Sequence, residues 1–250
     1  MTESSPSWET PPTQLILPRN AVHVWRASLH VSASCLRTLE GTLTADERAR
    51  AERFYFQKHR EHFIAGRGLL RNILSRYLDK VPDQLRFCYN SYGKPALTEE
   101  TSTEGLCFNL SHSHGIALYA LTRGREIGVD IEYFRPDVET EKLAERFFSP
   151  REAAVLRALP EHLRREGFFN CWTRKEAYIK AEGQGMSIPL SAFDVSLTPG
   201  EPAVLLRSQN HPQETSRWSL QALNPAPGYA AALAVKGHDW KLKCWQWSPT

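Results

Sequence analysis

Two hydrophobic rhythms alternate along this chain in blocks, and their order limits the folds open to it. Residues 22–29 read as a first strand, with Val22, Val24 and Ala27 around Trp25 in β-favouring company. Thr44 followed by Asp46 and Glu47 marks a helix start, a short polar cap with acid in the first turn. From there to about Leu78 the apolar residues recur at helical spacing. That predicts two helices, the second starting near Glu61, with Pro82 closing the region. Strand-like runs follow at 85–89, 106–110, 116–122 and 127–133. Helical stretches are expected at 138–147, 150–159 and 161–182, with Ser149 as cap and Pro150 at the first helical position of the second. Strands return at 193–197, 203–206, 217–223, 229–235 and 241–247. The order is therefore strand, helices, strands, then helices and strands again. CFNLSHSHGIALYAL at 107–121 and WSLQALNPAPGYAAALAV at 218–235 both join a strand, a glycine-containing turn and a strand of small residues. Pattern alone leaves two origins open: an internal duplication, or two α+β halves that look alike.

A length of 250 residues accommodates one large domain or two small ones, and either can bury a core. No run of about 18 apolar residues occurs, so no membrane span is expected. The N-terminus lacks a basic head before an apolar stretch, so no secretory signal is expected. Residues 1–13, rich in Ser, Thr and Pro, read as a flexible tail. The five cysteines (Cys35, Cys88, Cys107, Cys171, Cys244) are scattered without a C-x-x-C pair. They argue against a zinc site or a disulfide framework and for buried thiols in a reducing cytoplasm. A formal charge of +3 is too mild for a general nucleic-acid binder. Arg48, Arg50, Arg53, Lys58, Arg60, Arg67 and Arg71 nevertheless crowd one region. Most of them fit a solvated helix face, and one or two could reach a phosphate.

Four short segments carry chemistry. In IGVDIE, Asp130 and Glu132 stand two apart, so a strand would turn both carboxylates to one face. Two carboxylates in an apolar run repel each other and lose solvation. Either a cation such as magnesium or manganese relieves them, or the strand is an edge with a wet polar face. In WTRKEAYIKAEGQG, Trp172, Glu176 and Lys180 fall at i, i+4 and i+8, on one side of a helix. The neighbouring apolar residues argue for partial burial, and Gly183 and Gly185 end the helix. FNLSHSH ends a strand and enters a turn with Ser111, His112, Ser113 and His114, a plausible phosphate cradle. A Ser–His nucleophile pair is disfavoured, because adjacent strand residues point to opposite faces and no G-x-S-x-G elbow surrounds Ser111. YGKP sets Lys94 on a rigid turn that could simply be solvated.

Taken in order, GKP at 93–95, FNLSHS at 108–113, IGVDIE at 127–132 and WTRKEAYIKAEGQG at 172–185 resemble the 4′-phosphopantetheinyl transferases of the Sfp type. DERARAERF at 46–54 and RFFSPRE at 146–152 add to the likeness, which spans about residues 22–235. The resemblance implies an α+β fold of two similar halves related by a pseudo-two-fold, here 14–124 and 125–250, with the active site in the cleft between them. It implies transfer of the phosphopantetheine arm of coenzyme A to a serine of an apo acyl or peptidyl carrier protein, releasing adenosine 3′,5′-bisphosphate. Asp130, Glu132 and Glu176 match magnesium ligands (manganese being the other candidate). Asp130, Glu176 and Lys180 match the catalytic set, with Glu176 or a metal-bound water as base and Lys180 also meeting the pyrophosphate. Arg50, Gly93, Lys94, Pro95, Asn109, Ser111 and His112 match positions that contact coenzyme A, with Arg50 and His112 on its 3′-phosphate. Glu152 matches an acid near the site, and Trp172 a packing residue. The sequence departs from some members at Glu47 and Tyr89, where they carry a base. The expected partner is a small acidic helical carrier, the expected state a monomer, and the expected location the cytoplasm. A magnesium-dependent nucleotide or pyrophosphate hydrolase and a non-catalytic coenzyme A-binding module are the alternatives.

Overall fold

The computed structural model describes residues 7–102, 105–209 and 212–248. Residues 1–6 of the expected tail lie outside the described residues, whereas Trp8–Glu9 forms a short strand, β1. The first half continues with β2 (Ala21–Ser28), α1 (Ala33–Gly41), α2 (Ala45–Glu52) and α3 (Gln57–Ser75), then the hairpin β3 (Phe87–Tyr89) and β4 (Pro95–Leu97), then β5 (Leu106–Ser113) and β6 (Ile116–Arg123). The second half has β7 (Ile127–Tyr133), α4 (Thr140–Phe147), α5 (Pro150–Ala158) and α6 (Glu161–Glu182). The hairpin β8 (Phe193–Val195) and β9 (Leu205–Ser208) follows, with β10 (Trp218–Leu223), β11 (Tyr229–Lys236) and β12 (Lys241–Gln246).

The two halves repeat one plan: a strand, three helices ending in the longest, a small antiparallel hairpin, and two strands. Their sheets share an order, β2-β6-β5 in the first and β7-β11-β10 in the second, with every pair within them antiparallel. The echo between 107–121 and 218–235 corresponds to β5–β6 and β10–β11. One element breaks the repeat. The last strand, β12, leaves the second half and pairs parallel to β2, and β1 pairs parallel to β12. The first sheet thus takes in strands from both halves.

Strand alternation builds the layers. Val22 and Val24 of β2, Leu118 and Ala120 of β6, Ile127, Val129 and Ile131 of β7, and Leu233 and Val235 of β11 face one another between the sheets. Their neighbours Trp25, Tyr119 and Leu121 face outward, under Leu69, Leu70, Ile73 and Leu74 of α3. Ala230, Ala232 and Ala234 of β11 lie under α6. The stacking is helix, sheet, sheet, helix, with each long helix covering the outer face of its own sheet.

Local chemistry sets the helix starts. Ser149 is the expected cap, and with Glu152 it forms a capping box, Ser149 Oγ accepting from Glu152 N and Glu152 accepting from Ser149 N. Thr44 and Glu47 form another at α2. The second helix of that region begins at Gln57, four residues before the expected Glu61. The helix α1, capped by Ser32, and the short strand β4 have no counterpart among the expected elements. All five cysteines are free thiols. Among the described residues, no helix is long and apolar enough to cross a membrane.

Candidate active site

The seam between the halves runs along β5 and β7, and every second residue of β5 stitches it. Asn109 Oδ1 accepts from Val129 N at 2.9 Å. Ser111 Oγ donates to Asp130 Oδ1 at 2.8 Å. Ser113 Oγ donates to Glu132 Oε2 at 3.0 Å and accepts from Tyr133 N at 3.2 Å. The alternation in FNLSHS therefore puts three polar side chains on one face of β5, each on a residue of IGVDIEY. His112, between them, points to the other side and stands exposed.

Across the seam, α6 brings its i, i+4, i+8 stripe. Trp172, Glu176 and Lys180 are its partly exposed positions here, amid buried neighbours, as the i, i+4, i+8 spacing predicts. Lys180 Nζ donates to Asp130 Oδ1 at 2.5 Å and to Ser111 Oγ at 2.9 Å. Trp172 stacks on Phe168 with centroids 5.9 Å apart. The approach of α6 to β7 depends on Gly128, where a Cβ would stand 2.1 Å from the Ala177 carbonyl oxygen.

The charges explain one another. Asp130 is 3% exposed. Its Oδ1 takes both donors, while Oδ2 is buried with no hydrogen-bond partner. Burial first, then the Asp130 charge, raises the pKa of Glu132 and of Glu176. Both glutamates thus lie beside a buried carboxylate that makes their ionisation costly. Among the described residues, no group of three His, Cys, Asp or Glu side chains is drawn together tightly enough to hold a metal ion as it stands. The orphaned Asp130 oxygen and the two destabilised glutamates fit a hard divalent cation with oxygen ligands.

Two adjoining clefts flank this cluster. Gly93, Lys94, Pro95, Asn109 and Lys180 line one of about 210 Å³. Arg50, His112, Gly93 and Pro95 line the other, of about 370 Å³, together with His62, Arg67 and Tyr89. The GKP turn forms the wall they share. Gly93 has φ +82°, a conformation natural to glycine, and Asn90 Oδ1 holds the turn by accepting from Tyr92 N and Lys94 N.

Several expected positions take other work. Lys94 Nζ is turned inward, donating to Ala181 O at 2.9 Å and Ile127 O at 3.2 Å, and burial lowers its pKa. Glu152 is away from the cluster. It is 2% exposed, paired to the fully buried Lys175 at 2.8 Å and accepting from Val195 N. Glu47 is buried, and its carboxylate takes Arg67 and, at 2.7 Å, Arg71. Those contacts hold its pKa down despite burial. Arg50 stays exposed, its guanidinium 5.4 Å from the Phe63 ring centre. Sequence reasoning places Ser113 in the cradle turn without assigning it a partner, and the period of two in FNLSHS could have paired it with Ser111; nothing in it singles out His62.

Residues 126–234 match the family model described as the 4′-phosphopantetheinyl transferase superfamily, and residues 24–122 match that described as 4′-phosphopantetheinyl transferase, N-terminal. The chain is 46% identical over 241 residues to the 4′-phosphopantetheinyl transferase HetI of Nostoc sp., covering 96% of this chain and 98% of that protein. It is 30% identical over 198 residues to the 4′-phosphopantetheinyl transferase Sfp of Bacillus subtilis, covering 79% of this chain and 84% of that one. The 4′-phosphopantetheinyl transferase psf-1 of Bacillus pumilus is 31% identical over 203 residues, with 80% and 82% covered.

Proposed function

The chain belongs to the 4′-phosphopantetheinyl transferase superfamily, and from that membership we propose that it transfers the phosphopantetheine arm of coenzyme A to a serine of an apo carrier protein with the help of magnesium. The observation that carries the reading is the Asp130 cluster: a buried carboxylate shared by Ser111 and Lys180, with one oxygen unpartnered and two glutamates raised beside it.

Asp130, Glu132 and Glu176 would hold the cation, which supplies charge neutralisation at the pyrophosphate. The chain's own residues do the rest. The nucleotide end of coenzyme A lies in the cleft of Arg50 and His112, and the GKP turn directs the pyrophosphate toward Lys180. The carrier serine Oγ forms a bond to the β-phosphorus as the bond from that phosphorus to the bridging oxygen breaks. Adenosine 3′,5′-bisphosphate leaves with the bonding pair. Glu176 accepts the serine proton. Lys180 donates a hydrogen bond to the charge that develops on the departing phosphate.

Mass spectrometry tests this directly. With coenzyme A, magnesium and an apo carrier, the carrier should gain one phosphopantetheinyl group on serine, and removal of magnesium by chelation should stop the gain. Glu176→Ala should lower the rate by about a hundredfold or more. Cleavage of coenzyme A without carrier modification would instead identify a hydrolase, and binding without chemistry a module.

A further inference from the structure

A second basin lies at the opposite end of the seam from the Glu132 carboxylate, where the two halves join. Arg19 precedes β2, Arg123 closes β6, Arg125 and Glu126 form the link to β7, Arg217 precedes β10, and Lys236 closes β11. Together they line a hollow of about 650 Å³. Asp130 lies four residues along β7 from Glu126, roughly 13 Å at the rise of a strand. The hollow shares no lining residue with the clefts beside Asp130.

The fold holds positive charge there at close quarters. Arg125 donates from Nη1 to Lys236 O at 3.3 Å and His238 O at 3.1 Å, and from Nε to Arg19 O at 3.4 Å. Gly237, at φ +91°, makes the room: a Cβ there would stand 2.4 Å from Arg125 Nη1. Arg123 Nε donates to Leu17 O at 3.0 Å. Carbonyl oxygens occupy N–H groups but leave a guanidinium charge standing. Lys236 pairs with Glu126 at 3.0 Å and Arg217 with Glu214 at 3.0 Å, while Glu182 also faces Lys236. Five cations thus meet three carboxylates, and all three acids gather about Lys236 and Arg217. The surplus falls on the side of Arg19 and Arg125, and like charges held this closely repel until an anion joins them.

The lining also sets the chemistry of a ligand. Four of the five cations are arginines, whose planar forks match phosphate oxygens two at a time. The rest of the lining is Glu126 and two glycines, Gly124 and Gly237. A nucleobase would find no ring to stack on, and an acidic peptide no apolar pocket for an anchor. Such a surface recognises charge density. Its volume is about twenty times the share of one water in the liquid, enough for several linked phosphates.

We propose that this basin is a second anion site, taking a short inorganic polyphosphate that bridges the two halves of the chain. Arg19 and Arg123 hold it from the first half, Arg217 and Lys236 from the second, so its binding stabilises the whole fold by mass action.

Calorimetric titration of tripolyphosphate into the full-length protein tests it. Saturating coenzyme A occupies the clefts, magnesium is left out because tripolyphosphate would sequester it, and sodium chloride holds the ionic strength constant. The wild type should bind one tripolyphosphate, and at ten times the Kd its melting temperature should rise by about 3 °C. The double variant Arg19→Gln, Arg217→Gln removes two exposed cations. Its affinity for tripolyphosphate should fall at least about tenfold. Its rate of carrier modification, measured without tripolyphosphate, should stay at the wild-type value, which also shows that it folds. Wild-type affinity in the variant, or no binding by the wild type, overturns the site. A hexaglutamate peptide that binds the wild type more tightly than tripolyphosphate, and is lost in the variant, overturns its chemistry in favour of an acidic protein segment.

Discussion

His23 shows how far a single titratable side chain can be read. It points out of β2 away from the intersheet core and is 4% exposed. Trp25 Nε1 donates to the Tyr77 hydroxyl oxygen at 2.8 Å. His23 Nδ1 lies 2.9 Å from the same hydroxyl, within hydrogen-bond distance. Burial, then the charge of Lys243, lowers its pKa from 6.5 to about 4. Above pH 6.5 folded and unfolded chains bind the same number of protons at this site. Below it the unfolded chain takes up a proton that the fold refuses until about pH 4, so stability is lost as the pH falls through that window. The loss is about 3 kcal/mol, since one proton held back over each pH unit of that window is worth about 1.4 kcal/mol. His23→Gln keeps a hydrogen-bonding group for Tyr77 and cannot protonate. Urea midpoints at pH 7 and pH 4.5 should fall further apart in the wild type than in this variant. Equal intervals in both would show that His23 titrates normally.

At the scale of elements, the decisive contact is β7 against α6. Gly128 adopts ordinary strand geometry, so its absence of a side chain serves the close approach alone: a Cβ would lie 2.1 Å from Ala177 O and 2.4 Å from Ala181 N. Those are backbone atoms of a packed helix and cannot swing away. Gly128→Ala must therefore push α6 outward by about an ångström, at a cost of about 1–3 kcal/mol typical of overpacking. The 2.5 Å contact of Lys180 with Asp130 lies in the same layer and opens with it. Transfer should fall by about a hundredfold, since such misplacement costs that much in positioned chemistry, and the melting temperature should drop with it. Unchanged transfer in a destabilised protein would separate packing from catalysis. Much of this element pair is legible in the sequence: the i, i+2 carboxylates and the i, i+4 stripe follow from strand and helix periods. Gly128 reads there as one more strand residue, because close approach is a property of two segments and periodicity describes one.

The same limit governs the whole molecule. The repeat of strand, helices and strands can be read along the chain, and its duplication becomes visible in the shared sheet order. The crossing of β12 to β2 cannot, because Lys241–Gln246 carries the same strand signal whichever sheet receives it. Lys94 is the sharpest instance. Its place beside Gly93 and Pro95 suggests a ligand contact, yet its ammonium bridges the halves, reaching from the β3–β4 hairpin to Ile127 O on β7 and Ala181 O on α6. Asn90 of the same turn donates to Gly183 O at 2.7 Å, so the hairpin grips the end of α6 at two points. Lys94→Met keeps the apolar stem and strands two part-buried carbonyls, which should cost about 1–3 kcal/mol. Because the grip joins the halves, the loss should appear as a lower urea midpoint of the whole chain. Affinity for coenzyme A should change less than about threefold, under about 1 kcal/mol. Wild-type stability combined with a large loss of coenzyme A affinity would return Lys94 to the ligand, and the seam would then rest on Asn109, Ser111, Ser113 and Asn90 without it.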